Sequence, residues 1–366
     1  MSRVCLALCL SPLLIASVSA QTDTKLLRFP DLSATQVTFV YAGDIYVVGR
    51  DGGAAIRLTA HPGQELYPKF SPDGKQIAFS AEYNGTRQVY VMPTLGGVPR
   101  QLTWYSDVGP LPVRGGTDYR VLDWAPDAMN VLVRANRVPF DERGGRPYLV
   151  PVDGGMETPL AIPETGGGMF SPDGNSMVYT PIDRDFRSWK RYRGGRAQDV
   201  WTYDLINNRS HRLTHFNGTD HQPMWIDDAI YYVSDHTPTL NLYRLPIAGD
   251  DRNDAPAALT TFNDFDVLWP SAGPGGIVFE QGGALWRFDT ASGASKRLHV
   301  HVVGDAAATL PTIKNVAAQI ESFGLSPNGK RVLFAARGEL FTVPAKDGAL
   351  RNISQTPAAR EMSASW

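Results

Sequence analysis

Hydrophobic and polar positions along this chain alternate in short runs, as they do in β-strands that bury one face. Gln76–Phe79 is one such run, and similar runs rich in β-branched and aromatic residues recur through the sequence. No stretch has the periodicity of a convincing helix. The pattern therefore predicts an all-β fold built from short antiparallel strands.

These runs are organised in units, several of which contain a Ser-Pro-Asp-Gly turn or a variant of it. Phe70–Gly74 returns as Phe170–Gly174 and as Leu325–Gly329, and a decayed copy is found at Trp124–Asp127. Proline fixes φ, Asp or Asn bonds to the local backbone, and Gly takes the positive φ that closes the turn. We align Trp225, Trp269 and Trp366 with the residue that starts the motif. A period of roughly 40 to 55 residues indicates a repeat architecture.

Each unit has two further landmarks. The first is a strand with an aromatic residue or Leu at its centre, and the second is a strand that commonly ends in Leu-Thr, as at Leu58-Thr59 and Leu213-Thr214. The central aromatic residues recur at one structural position and are expected to form core between neighbouring sheets; they are Tyr46, Tyr90, Trp201, Tyr243, Trp286 and Phe341.

Four-stranded units repeated around an axis form a β-propeller, which protects its strand edges by packing blade on blade. We predict a six-bladed propeller over 29–300, a linker over 301–318 and the first blade of a second propeller over 319–366. A single ring of seven or eight blades is the alternative. Trp366 occupies the start of a motif that does not continue, which suggests a fragment cut within a blade.

The N-terminal residues differ from the rest of the chain. Arg3 precedes an apolar run that closes with Val18–Ala20, the small-x-small pattern of a signal peptidase site. We therefore predict a signal peptide over 1–20 and export to the periplasm or the medium. Both cysteines, Cys5 and Cys9, fall inside it, which would leave no thiol for a disulfide or a metal. A formal net charge of −2 gives no reason to expect nucleic acid or a membrane as a partner.

The chain contains no recognisable catalytic motif and no implied cofactor. It has no Gly-x-Ser-x-Gly elbow, no His-Glu-x-x-His zinc motif and no phosphate-binding Gly-rich loop. His211, His215 and His221 lie close in sequence, but nothing sets a tetrahedral metal geometry, and structural roles are the preferred interpretation. The Asp of each Ser-Pro-Asp-Gly turn is explained by turn formation without calcium.

A basic segment is the strongest charge feature. A loop at a propeller mouth that attracts peptide carboxylates or docks a partner is one interpretation, and a solvated insertion anchored by Trp189 and Tyr192 is the other. The candidate binding residues are Arg187, Lys190, Arg191, Arg193 and Arg196.

The same segment carries a resemblance to a known family. The run Ser188–Arg196, followed by Asp199–Trp201, resembles the N-terminal propeller of tricorn protease and its homologues, as do Phe29–Asp31 and Val40–Tyr46. The resemblance covers nearly the whole chain after residue 20. The Ser-Pro-Asp-Gly turns alone are shared with TolB-type and prolyl-oligopeptidase-type propellers.

The resemblance implies a large serine peptidase of family S41 that acts on oligopeptides. Its propellers would admit unfolded peptides, and its PDZ-like and catalytic domains would lie downstream, so no catalytic residue is carried over to this sequence. The family also includes cytoplasmic members, and a homo-oligomer is possible. The alternatives are a TolB-like periplasmic protein-binding propeller without enzymatic activity and the propeller of a prolyl-oligopeptidase-type enzyme.

Overall fold

The structure, a computed structural model, describes residues 23–84, 86–105, 119–136, 145–182, 191–247, 256–303, 313–356 and 359–366. In these ranges nearly all regular structure is β-strand, and the one helical element is a short 3₁₀ turn at Ala317–Gln319. No helix in this part of the chain has the length and apolar character needed to cross a membrane. The predicted signal peptide over 1–20 lies outside the described residues.

Six sheets follow one another along the chain, and each has its four strands in sequence order. Blade 1 consists of β1 (Arg28–Leu32), β2 (Gln36–Tyr41), β3 (Asp44–Gly49) and β4 (Gly52–Arg57); blade 2 of β5 (Glu65–Phe70), β6 (Gln76–Ala81), β7 (Gln88–Pro93) and β8 (Arg100–Gln101); blade 3 of β9 (Arg120–Trp124), β10 (Asn130–Ala135), β11 (Arg146–Pro151) and β12 (Thr158–Pro159).

The next three sheets repeat this order. Blade 4 consists of β13 (Gly167–Phe170), β14 (Ser176–Thr180), β15 (Trp201–Asp204) and β16 (Arg209–Arg212); blade 5 of β17 (Asp220–Ile226), β18 (Ala229–Ser234), β19 (Asn241–Pro246) and β20 (Ala257–Ala258); blade 6 of β21 (Leu268–Gly273), β22 (Gly276–Gln281), β23 (Ala284–Asp289) and β24 (Ser295–Arg297).

The first strands of these blades surround a common axis. Each of β1, β5, β9, β13, β17 and β21 contacts the first strand of the next blade, and β21 contacts β1, which closes the ring. The strands within each blade are antiparallel. The predicted all-β propeller is therefore confirmed, and the six sheets around the axis agree with the six blades that the repeats predict.

A further strand, β25 (His299–Val302), joins the last blade to the first. It pairs in parallel with β4, and Gly52, at a φ of 96°, allows the backbone of His299 to approach closely. The chain before β1 is held there as well, because the Thr24 amide donates to the Val300 carbonyl at 2.8 Å and His299 Nδ1 lies 2.8 Å from Asp23 Oδ2. The two ends of the ring are thus connected.

A seventh four-stranded sheet follows, with β26 (Ile320–Leu325), β27 (Arg331–Ala336), β28 (Glu339–Pro344) and β29 (Arg351–Asn352). It has the strand order of a blade and repeats the Ser-Pro-Asn-Gly turn. Its interpretation as the start of a second propeller, and the domain boundaries around it, stay predictions.

The two sequence landmarks have clear structural roles. The aromatic strand is the third strand in every sheet. The Thr of Leu-Thr accepts a hydrogen bond from the backbone amide near the start of that strand: Val89 to Thr103 at 2.9 Å, Val200 to Thr214 at 3.0 Å and Leu242 to Thr260 at 2.9 Å. A hydroxyl at this position therefore ties the outermost strand to the third strand of its blade.

The Ser-Pro-Asp-Gly motif forms the turn between the first and second strands. In blade 2 the Ser71 hydroxyl donates to Asp73 at 2.6 Å, Asp73 accepts from the Lys75 amide at 3.0 Å, and Gly74 has a φ of 70°. These bonds lower the pKa of Asp73. Turn formation thus accounts for the Asp of this motif.

Candidate functional site

The first strands of four blades share an unusual backbone feature at the axis of the ring. Phe29, Tyr67, Gln222 and Trp269 all have φ near 50°, and each precedes a proline. The strand register shifts at each of these positions. A β-bulge interrupts the alternation of side chains along the strand and redirects the bulged residue. Proline is tolerated beside it because proline has no amide hydrogen to donate. Positive φ in bulky residues is strained, and such strain is concentrated at functional sites.

This feature corrects one sequence alignment. We aligned Trp269 with Phe70 and Trp124, the residues that start the turn motif. In the structure Trp269 is equivalent to Tyr67, three positions earlier, and Ala272 corresponds to Phe70. The error arose because Trp269-Pro270 lacks the Ser-Pro-Asp-Gly sequence after it, so an aromatic residue alone was matched.

Three aromatic side chains from this set meet at the axis. Ring centroids of Phe29 lie 4.7 Å from those of both Tyr67 and Trp269, and the latter two are 5.7 Å apart. The guanidinium of Arg120 lies 4.9 Å from the Trp269 ring and 5.3 Å from the Tyr67 ring, within cation–π range. We call Phe29, Tyr67 and Trp269 the aromatic layer. It leaves an axial cavity of only about 80 Å³.

A polar group of side chains lies next to the aromatic layer. Lys69 Nζ is 3.3 Å from Asp31 Oδ1, and the Ser271 hydroxyl accepts from Lys69 and donates to Asp31. The second Asp31 oxygen accepts from the Phe70 amide at 2.7 Å. These contacts join blades 1, 2 and 6. Lys69 cannot act as a general base for the Ser271 hydroxyl, because its ammonium is already ion-paired with Asp31.

Asp123 is the second carboxylate on this side of the aromatic layer. It borders both the narrow axial cavity and the wider cavity beyond it. Burial raises the pKa of Asp123 to about 6, and the Lys69 ammonium opposes this effect only in part. Among the described residues, Asp123 forms no ion pair, because the nearby Lys69 is paired with Asp31.

The wider cavity has a volume of about 510 Å³ and opens among the Ser-Pro-Asp-Gly turns. We call this end of the axis the turn mouth. Its lining residues include Phe70, Trp124, Phe170 and Trp225, and the acidic ones among them are Asp31, Asp73, Asp123 and Asp227. No lysine or arginine is among the lining residues in the described part of the chain.

The basic segment predicted as a binding site is at the other end of the axis. Arg193 pairs with Asp235, which follows β18, and Arg191 donates to the Pro238 carbonyl at 3.0 Å. Both partners lie in the β18–β19 loop, at the end opposite the turns. Arg196 is exposed, whereas Arg187 and Lys190 lie outside the described residues. Arg191 and Arg193 thus form contacts within the protein, and their role in binding stays a prediction.

The axial residues were missed in the sequence, although a signal was present. Phe-Pro, Tyr-Pro, Gln-Pro and Trp-Pro recur in successive first strands, and each pair begins the segment that faces the axis. Of the three histidines considered as metal ligands, His211 and His215 are exposed and His221 is buried in β17. Among the described residues no group of three potential ligand side chains could hold a metal ion.

The fold and its axial channel define a β-propeller of the kind built from Ser-Pro-Asp-Gly repeats. The family model of the tricorn protease N-terminal β-propeller domain matches residues 24–294, and the chain belongs to this family. The resemblance noted in the sequence is therefore confirmed.

Individual relatives agree with this assignment. Tricorn protease homolog 1 of Streptomyces coelicolor is 29% identical over 338 residues, which is 91% of this chain and 30% of that protein. The tricorn protease homolog of Saccharolobus solfataricus is 22% identical over 87% of this chain and 28% of its own length. The chain thus spans less than a third of the length of these curated relatives.

Solved structures support the same fold. The crystal structure of tricorn protease superposes with a TM-score of 0.66 at 19% identity, over 91% of this chain and 31% of that chain. A putative TolB from Agrobacterium tumefaciens has a TM-score of 0.50 at 18% identity, over 64% of this chain and 81% of that one. The chain therefore shares its propeller fold with a TolB-type protein.

Proposed function

We propose that this chain is the non-catalytic propeller region of an exported tricorn-like serine peptidase, and that it controls the access of unfolded oligopeptides. Family membership supports the parent class, and the short span relative to the relatives leaves room for the PDZ-like and catalytic domains. Export rests on the apolar N-terminal segment, which ends at Ala20. The chain itself is expected to have no peptidase activity.

The axial channel is the observation that carries this proposal. Its turn mouth has a volume of about 510 Å³, within the range of roughly 300–1,000 Å³ typical of ligand pockets. Beyond it the aromatic layer reduces the space to about 80 Å³. Such a channel would accept a few residues of an extended chain and would exclude a folded domain. Passage beyond the mouth would require Phe29, Tyr67 or Trp269 to move.

The aromatic layer is built in a way that suits a gate. Its members contact one another through ring edges and tilted faces, and aromatic pairs of this kind contribute about 0.5–1.5 kcal/mol each beyond burial. The strained backbone at Phe29, Tyr67 and Trp269 is a second cost, of about 1–3 kcal/mol for each residue. Tyr67 and Trp269 also belong to a buried core cluster, so opening would expose part of their surface, a cost that release of the backbone strain would offset in part.

The test is to locate a bound peptide. An unfolded peptide of about ten residues with a central photoreactive benzoylphenylalanine is irradiated with the whole chain, and cross-linked positions are mapped by mass spectrometry. We expect cross-links on the first strands, in 28–32, 65–70 and 268–273. A Trp269→Ala variant, which opens the aromatic layer, should increase their yield, whereas Trp104→Ala, at an exposed Trp outside the channel, should not.

The TolB-like alternative predicts a different result. A protein-binding propeller without an enzyme would engage a folded partner on its outer surface and would give no peptide cross-links at the axis. Cross-links confined to outer strands, or an absence of cross-links, would contradict the gating proposal.

A further inference from the structure

We propose that the turn mouth binds the positively charged group of a peptide, either an α-ammonium or a basic side chain, with the Asp123 carboxylate as its partner at the inner end of the site. This inference rests on the proposed function, because it names the chemistry of the peptides that the channel admits.

The charge of the turn mouth is the first support. Of its four aspartates, Asp31 is neutralised by Lys69, and Asp73 is occupied by its own turn and by Lys75 at 3.3 Å. Asp123 and Asp227 form no ion pair within the described residues. Since none of the described residues that line the cavity is basic, their net charge toward whatever enters it is negative.

The position of Asp123 is the second support. Its neighbours on β9, Leu122 and Trp124, are buried, and the carboxylate borders the cavity from inside the ring. Asp123 is half-buried and accepts a hydrogen bond from the Trp124 amide, so its carboxylate is only in part removed from water. Burial accordingly raises the pKa of Asp123 to about 6, which still leaves it mostly ionised at neutral pH. An incoming ammonium would supply the partner that Lys69, committed to Asp31 and Ser271, supplies only in part.

The walls of the cavity suit an organic cation. Trp225, which is half-buried, borders the cavity, whereas Phe70, Trp124 and Phe170 line it from the buried cores of their blades. Ammonium and guanidinium groups are attracted to aromatic faces, most strongly where water is excluded. A bare divalent ion would need several oxygen ligands, and no cluster of three potential ligand side chains is found in the described part of the chain.

The sign of the charge changes along the axis. On the far side of the aromatic layer lies the Arg120 guanidinium, stacked over Tyr67 and Trp269, whereas Asp123 lies on the near side, three residues later on β9. A cation that enters the turn mouth meets the Asp123 carboxylate before it reaches the aromatic layer and Arg120. This polarity would orient a peptide with its ammonium group at Asp123 and the rest of its chain extending out through the turn mouth.

The test compares four peptides of equal length by isothermal titration calorimetry with the whole chain at pH 7.5. All are alanine pentapeptide amides: one has a free N-terminus, one is N-acetylated, one is acetylated with a central lysine, and one is acetylated with a central norleucine. We expect the two cationic peptides to bind about tenfold more tightly than the two neutral ones, a difference of about 1.4 kcal/mol. The cationic pair distinguishes terminal from side-chain recognition, and preference for either supports the proposal.

Asp123→Asn should remove this preference, whereas Asp51→Asn, at an exposed position outside the cavity, should preserve it. Asp227→Asn gives a second neutralisation at the cavity wall in case Asp123→Asn does not fold. Asparagine tolerates the φ of 50° found there, and we expect a two- to threefold loss of the preference, since charges nearer the surface interact more weakly.

Two negative results have separate meanings. If all four peptides bind equally and Asp123→Asn has no effect, the charge recognition proposed here is wrong, while a gating channel can still hold. If no peptide binds at millimolar concentration and the benzoylphenylalanine peptide gives no axial cross-link, the proposed function fails as well.

Discussion

The Arg193 guanidinium lies 2.6 Å from the carboxylate of Asp235, and this ion pair fastens the segment after β14 to the loop that follows β18. Asp235 is buried and also accepts from the Thr219 amide at 2.8 Å. The same guanidinium lies 5.2 Å from the Phe216 ring. Arg193 is therefore a structural residue of the propeller, whatever its role toward a ligand.

Arg193→Gln should lower the stability of the propeller. The substitution leaves the buried Asp235 carboxylate without its cation, and we expect the free energy of unfolding to fall by about 1–2 kcal/mol, because Thr219 still donates to it and Arg193 is partly solvated. Urea denaturation followed by tryptophan fluorescence measures the change. Arg191→Gln is the matched control, with an expected effect below about 0.5 kcal/mol, since Arg191 reaches only the Pro238 carbonyl. Equal stability of the two variants would contradict this.

Thr103→Val should lower the stability of the propeller by the contribution of the Thr103 hydroxyl. This hydroxyl connects the outermost strand of blade 2 to the third strand of that blade. The Thr103 hydroxyl accepts from the Val89 amide at 2.9 Å and donates to Gln88 Oε1 at 2.8 Å, and the group is buried. Valine has the same shape but leaves the buried Val89 amide unsatisfied, at a cost of about 1–3 kcal/mol, whereas Gln88 Oε1 still accepts from the Tyr105 amide at 3.2 Å. Thr103→Ser keeps the hydroxyl and should lose less. The prediction fails if Val is tolerated as well as Ser in thermal denaturation.

The sequence predicted those parts of the fold that depend on local chemistry. The turn at Ser71–Gly74 and the strand centred on Tyr90 could be located because their residue types are selected by backbone geometry at single positions. The Thr landmark was visible as Leu-Thr, although its role was not, because its partner amide at Val89 lies fourteen residues away. The family was indicated by the run Ser188–Arg196 and by Phe29–Asp31, since the repeats alone are shared with other propellers.

The axial site could be predicted only in part, because it is made by residues from different blades. Asp31, Lys69 and Ser271 are up to 240 residues apart in sequence and meet only because the ring closes. Their residue types are not shared between blades, so a search for repeats passes over them. The basic segment was noticed because its charged residues are close together in sequence. Which arginine pairs with Asp235 and which is exposed to solvent depends on tertiary contacts.

Gly52→Ala should weaken the connection between the first and last blades. A Cβ at Gly52 would lie 2.5 Å from the backbone oxygen of His299, which the parallel pairing of β25 with β4 does not allow. Gly53 also has a positive φ, of 117°, but a Cβ there meets nothing within 4 Å, so Gly53→Ala is a control for backbone strain alone. Hydrogen exchange of 299–302 should accelerate by tenfold or more in Gly52→Ala, about 1.4 kcal/mol of opening free energy beyond the control. Similar exchange in both variants would show that β25 does not depend on this approach.

Glu65 should make the stability of the propeller fall as the pH rises. This carboxyl, at the start of β5, is completely buried, and burial raises its pKa to about 7, an effect that the nearby Tyr83 and Thr59 hydroxyls reduce only in part. In the unfolded chain a glutamate titrates near 4.3, so between about pH 4.5 and 7 the folded state binds more protons than the unfolded state. Its contribution to stability is therefore fully present below about pH 4.5 and is lost as the pH rises through 7, by about 3–4 kcal/mol.

Glu65→Gln keeps the shape of the neutral acid and should flatten this decline, which is measured as the midpoint of thermal unfolding at intervals from pH 5 to 8. Asp123, Asp220 and Glu280 also have a pKa raised by burial, so the variant should reduce the slope without abolishing it. Glu339→Gln is the control, because the Ser354 hydroxyl lowers the pKa of Glu339, so its neutralisation should not flatten the decline. An unchanged slope in Glu65→Gln would mean that Glu65 is ionised in the folded protein across this range.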